Sequence, residues 1–203
     1  MNEESLLEQS ALTSLPTSFR VIGIGEATKE VIETVKSYRY DCVSATVLTE
    51  PFECIPTDED KMVIIVAKDN EDHANSIAKT FHEAGVLTIG LLDNADLECY
   101  DGVVVETSRA EYPDLIKALL QPIATQGMIA YDFSDLQTTL ADAKHFFIKS
   151  ATGHGNERVA EAVGHIKSSL SSSMLETIRR ISILLYFNKE GEQPLLMQEM
   201  TVL

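Results

Sequence analysis

The sequence predicts an α/β fold: a parallel sheet with flanking helices, followed by a smaller α+β domain. Two patterns carry that reading. Strand-like and helix-like segments alternate from residue 19 to residue 92. The strand-like segments are continuous apolar runs, which mark strands buried on both faces of a parallel sheet. A length of 203 residues suits one large domain or two small ones and can bury a core.

Residues 1–18 are polar and acidic, and we read them as an arm ending at Leu15-Pro16-Thr17-Ser18. Phe19 to Gly25 reads as a buried strand running into a turn. Thr28 to Tyr38 follows as a helix with Val31, Ile32 and Val35 on its apolar face. Cys42 to Leu48 is rich in β-branched residues and reads as a second strand. Met62 to Ala67 is the clearest buried strand of the chain. Asp69 to Asp72 then places acids at the start of a helix whose stripe is Ala74, Ile77, Ala78 and Phe81, with Gly85 at its stop. Val86 to Leu92 and Gly102 to Val105 are two further strands. Pro113 suits the first turn of a helix carrying Leu115, Ile116, Leu119, Leu120 and Ile123, and Pro122 is expected to kink it or end it early.

In Gly127 to Leu140 a glycine and an apolar run precede two carboxylates, and Asp132 is placed to cap a helix with Asp135 in its first turn. Lys144 to Ser150 is strand-like, and Asn156 can cap a helix burying Val159, Ala160, Val163 and Ile166. Met174 to Arg180 is expected to form a short helical turn, Ile181 to Phe187 a strand and Asn188 to Gly191 a turn. Leu195 to Leu203 suits either a helix or a last strand. The domain plan is an arm over 1–18, a Rossmann-like domain of nucleotide-binding type over 19–112, a connecting helix over 113–126 and an α+β domain over 127–203.

Hydrophobic residues at 44% and charged residues at 24% are ordinary for a soluble globular protein. The formal charge of -16 comes from 32 acidic against 16 basic residues. Such a surface repels phosphate backbones and anionic lipid, which disfavours nucleic-acid and membrane-surface roles. No apolar run is long enough to span a bilayer, and the start of the chain carries acids where a secretory signal carries bases. Cys42, Cys54 and Cys99 show no paired short spacing, so reduced thiols in a cytoplasmic protein are expected, without disulfides or zinc.

Gly23 and Gly25, after a strand and before a helix, are the candidate cofactor-binding residues, because phosphates need close approach to backbone N–H groups. The third glycine of a dinucleotide loop is missing, and Glu26 stands where a phosphate would sit. Tight turning at a strand end is the alternative reason for both glycines. The five histidines include no pair at the i, i+4 spacing of a metal site. There is no Walker phosphate loop and no Gly-x-Ser-x-Gly elbow around Ser134.

Gly127-Met128-Ile129-Ala130-Tyr131-Asp132-Phe133-Ser134-Asp135 resembles the loop that begins the second domain of FtsZ, the bacterial tubulin relative of cell division, with its pattern Gly-Leu-Ile-Asn-x-Asp-Phe-Ala-Asp. Ala130 replaces the asparagine of that pattern. Lys149 to Ala162 is similar to the same family's Gly-x-Gly-x-Ala-x-Gly-Glu-x-Arg-Ala-x-Glu-Ala, and Phe19 to Gly25 to its first strand. Met62 to Leu92 is similar to the region around the tubulin signature Gly-Gly-Gly-Thr-Gly-Thr-Gly, yet Ala67 to His73 holds no glycine and three acids in its place. Thr107-Ser108-Arg109 stands where the family has Asn-Asp-Arg.

The resemblance implies a compact FtsZ/tubulin-like architecture and protein partners, either copies of this chain as a homo-oligomer or FtsZ-like subunits. It implies that Asp132 and Asp135 are catalytic only if they act on a neighbouring subunit's GTP. Loss of the glycines points to a cell-division or cytoskeletal-type scaffold without GTPase activity and without a cofactor. The alternatives are a GTPase using GTP with Mg2+ at a subunit interface, and an unrelated Rossmann-type nucleotide-binding protein using Gly23 and Gly25.

Overall fold

The computed structural model of the protein describes residues 18–49, 54–125, 131–141, 143–186 and 196–203. The arm before Ser18, Gly127 to Ala130 and the turn at Asn188 to Gly191 lie outside the described residues. The chain divides into two compact units, Met1–Phe147 and Ile148–Leu203.

The first unit is built on six strands: β1 (Phe19–Ile24), β2 (Val43–Leu48), β3 (Met62–Ala67), β4 (Leu87–Leu91), β5 (Gly102–Val104) and β6 (His145–Phe146). All pair in parallel, in the order β2-β1-β3-β4-β5-β6. The register sets Ile24 beside both Leu48 and Ala67, so β1, β2 and β3 end level with one another. Among the described residues four α-helices belong to this unit: α1 (Lys29–Ser37), α2 (Glu71–Glu83), α3 (Tyr112–Ala124) and α4 (Phe133–Leu140).

Alternate residues of each strand serve opposite faces. On one face Ile22, Ile24, Val63 and Ile65 pack with Ala74, Ile77, Ala78 and Phe81 of α2. On the other, Gly23 lies against Thr28 and Ile32, and the Tyr38 hydroxyl at the end of α1 donates to the Pro113 carbonyl in α3 at 3.1 Å. Every residue of β3 is buried, which explains its unbroken apolar sequence. Pro122 falls in the last turn of α3, which ends two residues later at Ala124.

The amino-terminal edge of the sheet is tied by a charged cluster. The Arg20 guanidinium donates to the Asp60 carboxylate at 2.6 Å and to the Ile55 carbonyl at 3.4 Å, and it lies 5.7 Å from the Phe81 ring centre. Asp60 is buried, and its other oxygen accepts the Thr57 N–H at 2.6 Å. A buried carboxylate is tolerable only when it is paired and hydrogen-bonded in this way.

The second unit contains α5 (Arg158–Ser169), α6 (Ser172–Thr177) and a 3-10 turn over Met197–Val202. Arg158 grips Glu199 with two bonds, at 2.9 and 3.1 Å, and Glu199 also accepts the Leu196 N–H at 2.7 Å. The Arg158 guanidinium, and then that N–H, hold the Glu199 carboxyl below its ordinary range. The contribution of this contact is therefore present above the ordinary glutamate pKa and is lost as pH falls through the lowered one.

Three expected elements differ from the observed ones. The strand expected over Lys144 to Ser150 shortens to β6, and it joins the parallel sheet of the first unit. Ile181 to Tyr186 carries the apolar, β-prone composition of a strand but has no regular structure, and no strand ladder among the described residues includes it. Propensity alone does not make a strand; a neighbour must supply the ladder. Asn156 lies within a 3-10 turn over Gly155–Glu157 and does not cap α5; the Glu161 carboxylate instead accepts the His154 N–H at 2.8 Å.

Candidate functional site

After β1 the chain passes to one side to form β2 and then returns to the other side as β3, so the strand order reverses at β1. Open parallel sheets hold ligands at such a reversal, outside the carboxyl ends of the strands. A cleft of about 540 Å³ opens at that place. Its walls are Ile24 and Gly25 after β1, Leu48 and Thr49 after β2, and Asn70, Glu71, Asp72 and His73 at the start of α2.

The loop after β1 turns at Gly25, whose φ of 81° lies in the left-handed region. Its N–H donates to the Leu48 carbonyl at 2.8 Å, and its carbonyl accepts the Thr28 hydroxyl at 2.7 Å and the Thr28 N–H at 3.1 Å. The Gly25 amide is therefore committed to the neighbouring strand. Gly23 is glycine for packing: a Cβ there would lie 2.3 Å from the Thr28 hydroxyl oxygen and 2.7 Å from Cγ1 of Ile32. The buried Thr28 hydroxyl was not singled out in the sequence, although a threonine three residues after a turn glycine is a known back-bonding pattern.

Across the cleft Asn70 adopts φ 57°, a conformation asparagine tolerates, and its carbonyl accepts the N–H groups of His73 and Ala74 at 3.1 Å. Glu71 turns toward the loop after β4, accepting the Asp93 N–H at 3.3 Å and the Asn94 side-chain amide at 2.5 Å. Asp69 and Asp72 are exposed beside it. Among the described residues that line the cleft there is no lysine or arginine. Lys29, on the β1 side, is ion-paired with Glu26 at 2.9 Å.

A smaller hollow of about 320 Å³ lies beyond β4 and β5, with Leu92, Asp93, Glu106, Thr107 and Tyr112 in its walls. The stretch Thr107-Ser108-Arg109 borders it. Arg109 is bonded to the Asp93 carboxylate, and the Ser108 N–H donates to Glu111 at 2.7 Å.

Asp132 and Asp135 form a capping box on α4. Asp132 accepts the N–H groups of Ser134 and Asp135 at 2.8 and 3.1 Å, and Asp135 accepts the Asp132 N–H at 2.9 Å. Between them, Phe133 stacks on Phe19 with ring centres 5.6 Å apart. Phe19 begins β1 and Gly25 follows its end, so the acids stand at the opposite edge of the sheet from the cleft. A six-residue strand separates the two places by roughly 20 Å. One copy of the chain does not bring these residues together. The Asp132→Ala variant is expected to lose about 1 kcal/mol of stability in urea unfolding, with Asp132→Asn close to wild type.

No protein-family model and no curated protein matches the chain. Among solved structures, the chain is similar to the empty FtsZ dimer of M. jannaschii with a TM-score of 0.56 at 14% identity, over 84% of this chain and 74% of that one. At that identity the likeness is one of fold. The chain has an FtsZ/tubulin-like α/β fold.

Proposed function

We propose that the protein is an FtsZ-like scaffold or interaction protein of the cell-division or cytoskeletal type, working in the cytoplasm through contacts with other protein subunits and without GTPase activity. The observation that carries this reading is the character of the cleft at β1. Its glycine amide already serves the Leu48 carbonyl, and its walls carry Glu71 and Asp72 and, among the described residues, no lysine or arginine. Phosphate sites work by presenting spare amides and positive potential. A like charge about 4 Å away costs on the order of 4 kcal/mol at the effective dielectric of a protein surface, against about 8 kcal/mol for a whole micromolar binding event.

The competing reading is GTP hydrolysis with Mg2+ at a subunit interface, with Asp132 and Asp135 orienting water on a neighbour's nucleotide. The separation of acids and cleft to opposite sheet edges is what gives that reading weight. The two are told apart by phosphate release from GTP with Mg2+ as protein concentration rises. The scaffold reading expects background release throughout. Release that climbs faster than linearly with concentration means a shared, active site and overturns it.

A further inference from the structure

Among the described residues, one buried side-chain polar atom has no hydrogen-bond partner, and it is the phenol oxygen of Tyr100. Tyr100 is 0% exposed and sits in the core with Ala74, Ile77 and Ala78 of α2. Its ring has a made place, because a Cβ on Gly90 of β4 would lie 3.0 Å from two of the ring carbons. Phenylalanine would fill that space without the polar atom. Buried tyrosines ordinarily pair their hydroxyl, so an orphan calls for a reason other than packing. Burial, and after it the Cys99, Asp96 and Glu71 side chains, push the phenol's pKa upward.

Two of those three groups belong to a strap and to its latch. Residues 93–96 join β4 to the 3-10 turn Leu97–Cys99, with Asp93, Asn94 and Asp96 exposed. Side chains of α2 hold this segment. Glu71 accepts the Asp93 N–H at 3.3 Å and the Asn94 side-chain amide at 2.5 Å. Asn75 donates to the Asn94 carbonyl at 3.2 Å and accepts the Asp96 N–H at 3.1 Å. Lys144 donates to the Leu97 and Tyr100 carbonyls at 3.0 Å each and anchors the chain where the strap ends. Asp93 and Ala95 line the hollow of about 320 Å³, and Glu71 lines the cleft.

We propose that residues 93–96 form a strap, latched by Glu71 and Asn75 and biased toward opening by the unpaired Tyr100 hydroxyl, whose lifting opens the hollow toward the cleft. With the strap down, its holds are exposed polar bonds, the kind of contact that local opening breaks first. The phenol oxygen is then dry and unpaired. With the strap up, water reaches it and the penalty is gone. An unpaired buried hydroxyl costs enough to move such an equilibrium by roughly tenfold or more. The strap is a property of the fold and does not depend on what the cleft binds.

The test is hydrogen exchange followed by NMR on the full chain, without nucleotide, at the bonded amides of Asp93 and Asp96. Tyr100→Phe is expected to slow both by roughly tenfold, because the closed state no longer carries an unpaired group. Glu71→Ala is expected to speed the Asp93 amide by about tenfold, and the double variant to return toward wild type. Amides in the middle of α3, at Ile116 and Leu119, report opening of the whole domain. Slowing at α3 with no change at Asp93 and Asp96 overturns the proposal, since the hydroxyl would then meet water only on global unfolding. No slowing anywhere also overturns it, since a fixed buried water would already pair the hydroxyl. An Asp93 amide indifferent to Glu71→Ala removes the latch and with it the proposal. If that variant fails to fold, the phenylalanine variant alone decides. GTP plays no part in these measurements, so nucleotide binding would remove the reading of the cleft and leave the strap standing.

Discussion

Replacing Gly23 by alanine is expected to destabilise the protein by about 2–3 kcal/mol, seen as a lower urea midpoint with an unchanged slope. The added methyl would sit 2.3 Å from the Thr28 hydroxyl oxygen, 2.9 Å from its Cβ and 2.7 Å from Ile32 Cγ1. None of these is a loose side-chain end. Thr28 is fully buried and bonded to the Gly25 carbonyl, and Ile32 is fully buried in α1. The helix must therefore lift from the sheet. Pairing the substitution with Ile32→Ala removes one of the clashes, so the double variant should cost less than the sum of the two singles by on the order of 1 kcal/mol. A glycine kept for ligand approach behaves differently: its alanine variant melts like wild type and loses only binding.

Phe81→Ala is expected to cost about 3–5 kcal/mol, a large part of the ~5–15 kcal/mol that holds a domain folded. Phe81 is fully buried on the inner face of α2, packed among Ile22, Ile65 and Ala78. Its ring also supports the Arg20 guanidinium that holds Asp60, so the variant loosens the loop 54–60 as well as the core. The leucine variant keeps most of the volume and should lose less than about 1.5 kcal/mol. Thermal melting of the three proteins orders them: wild type highest, leucine next, alanine lowest.

The parallel sheet was legible because its strands are buried on both faces and so carry unbroken apolar runs, Met62 to Ala67 above all. The Asp132–Asp135 capping box was legible for a different reason: it needs only local spacing. What local pattern could not supply was long-range pairing. Ile181 to Tyr186 has a strand's composition but belongs to no ladder among the described residues, because pairing depends on residues elsewhere. Nor could it reveal that the Gly25 N–H is consumed by Leu48, a bond that exists only because β2 lies beside β1. The Arg20–Asp60 pair spans forty residues and left no local signal. At the cleft, the acids of Asp69 to Asp72 were plain in the sequence, whereas the turning of Glu71 onto Asn94 was not.

The central claim is that the cleft at β1 does not hold a nucleoside triphosphate. Ligand-dependent melting of the full chain with GTP and Mg2+ tests it most directly. A ligand at about a hundred times its Kd adds about 2.7 kcal/mol, which raises the Tm of a chain this size by on the order of 5–10 °C. The expected result is a Tm that does not move as GTP rises to millimolar concentration. A saturable rise of that size, with a midpoint in the micromolar range, would contradict the account.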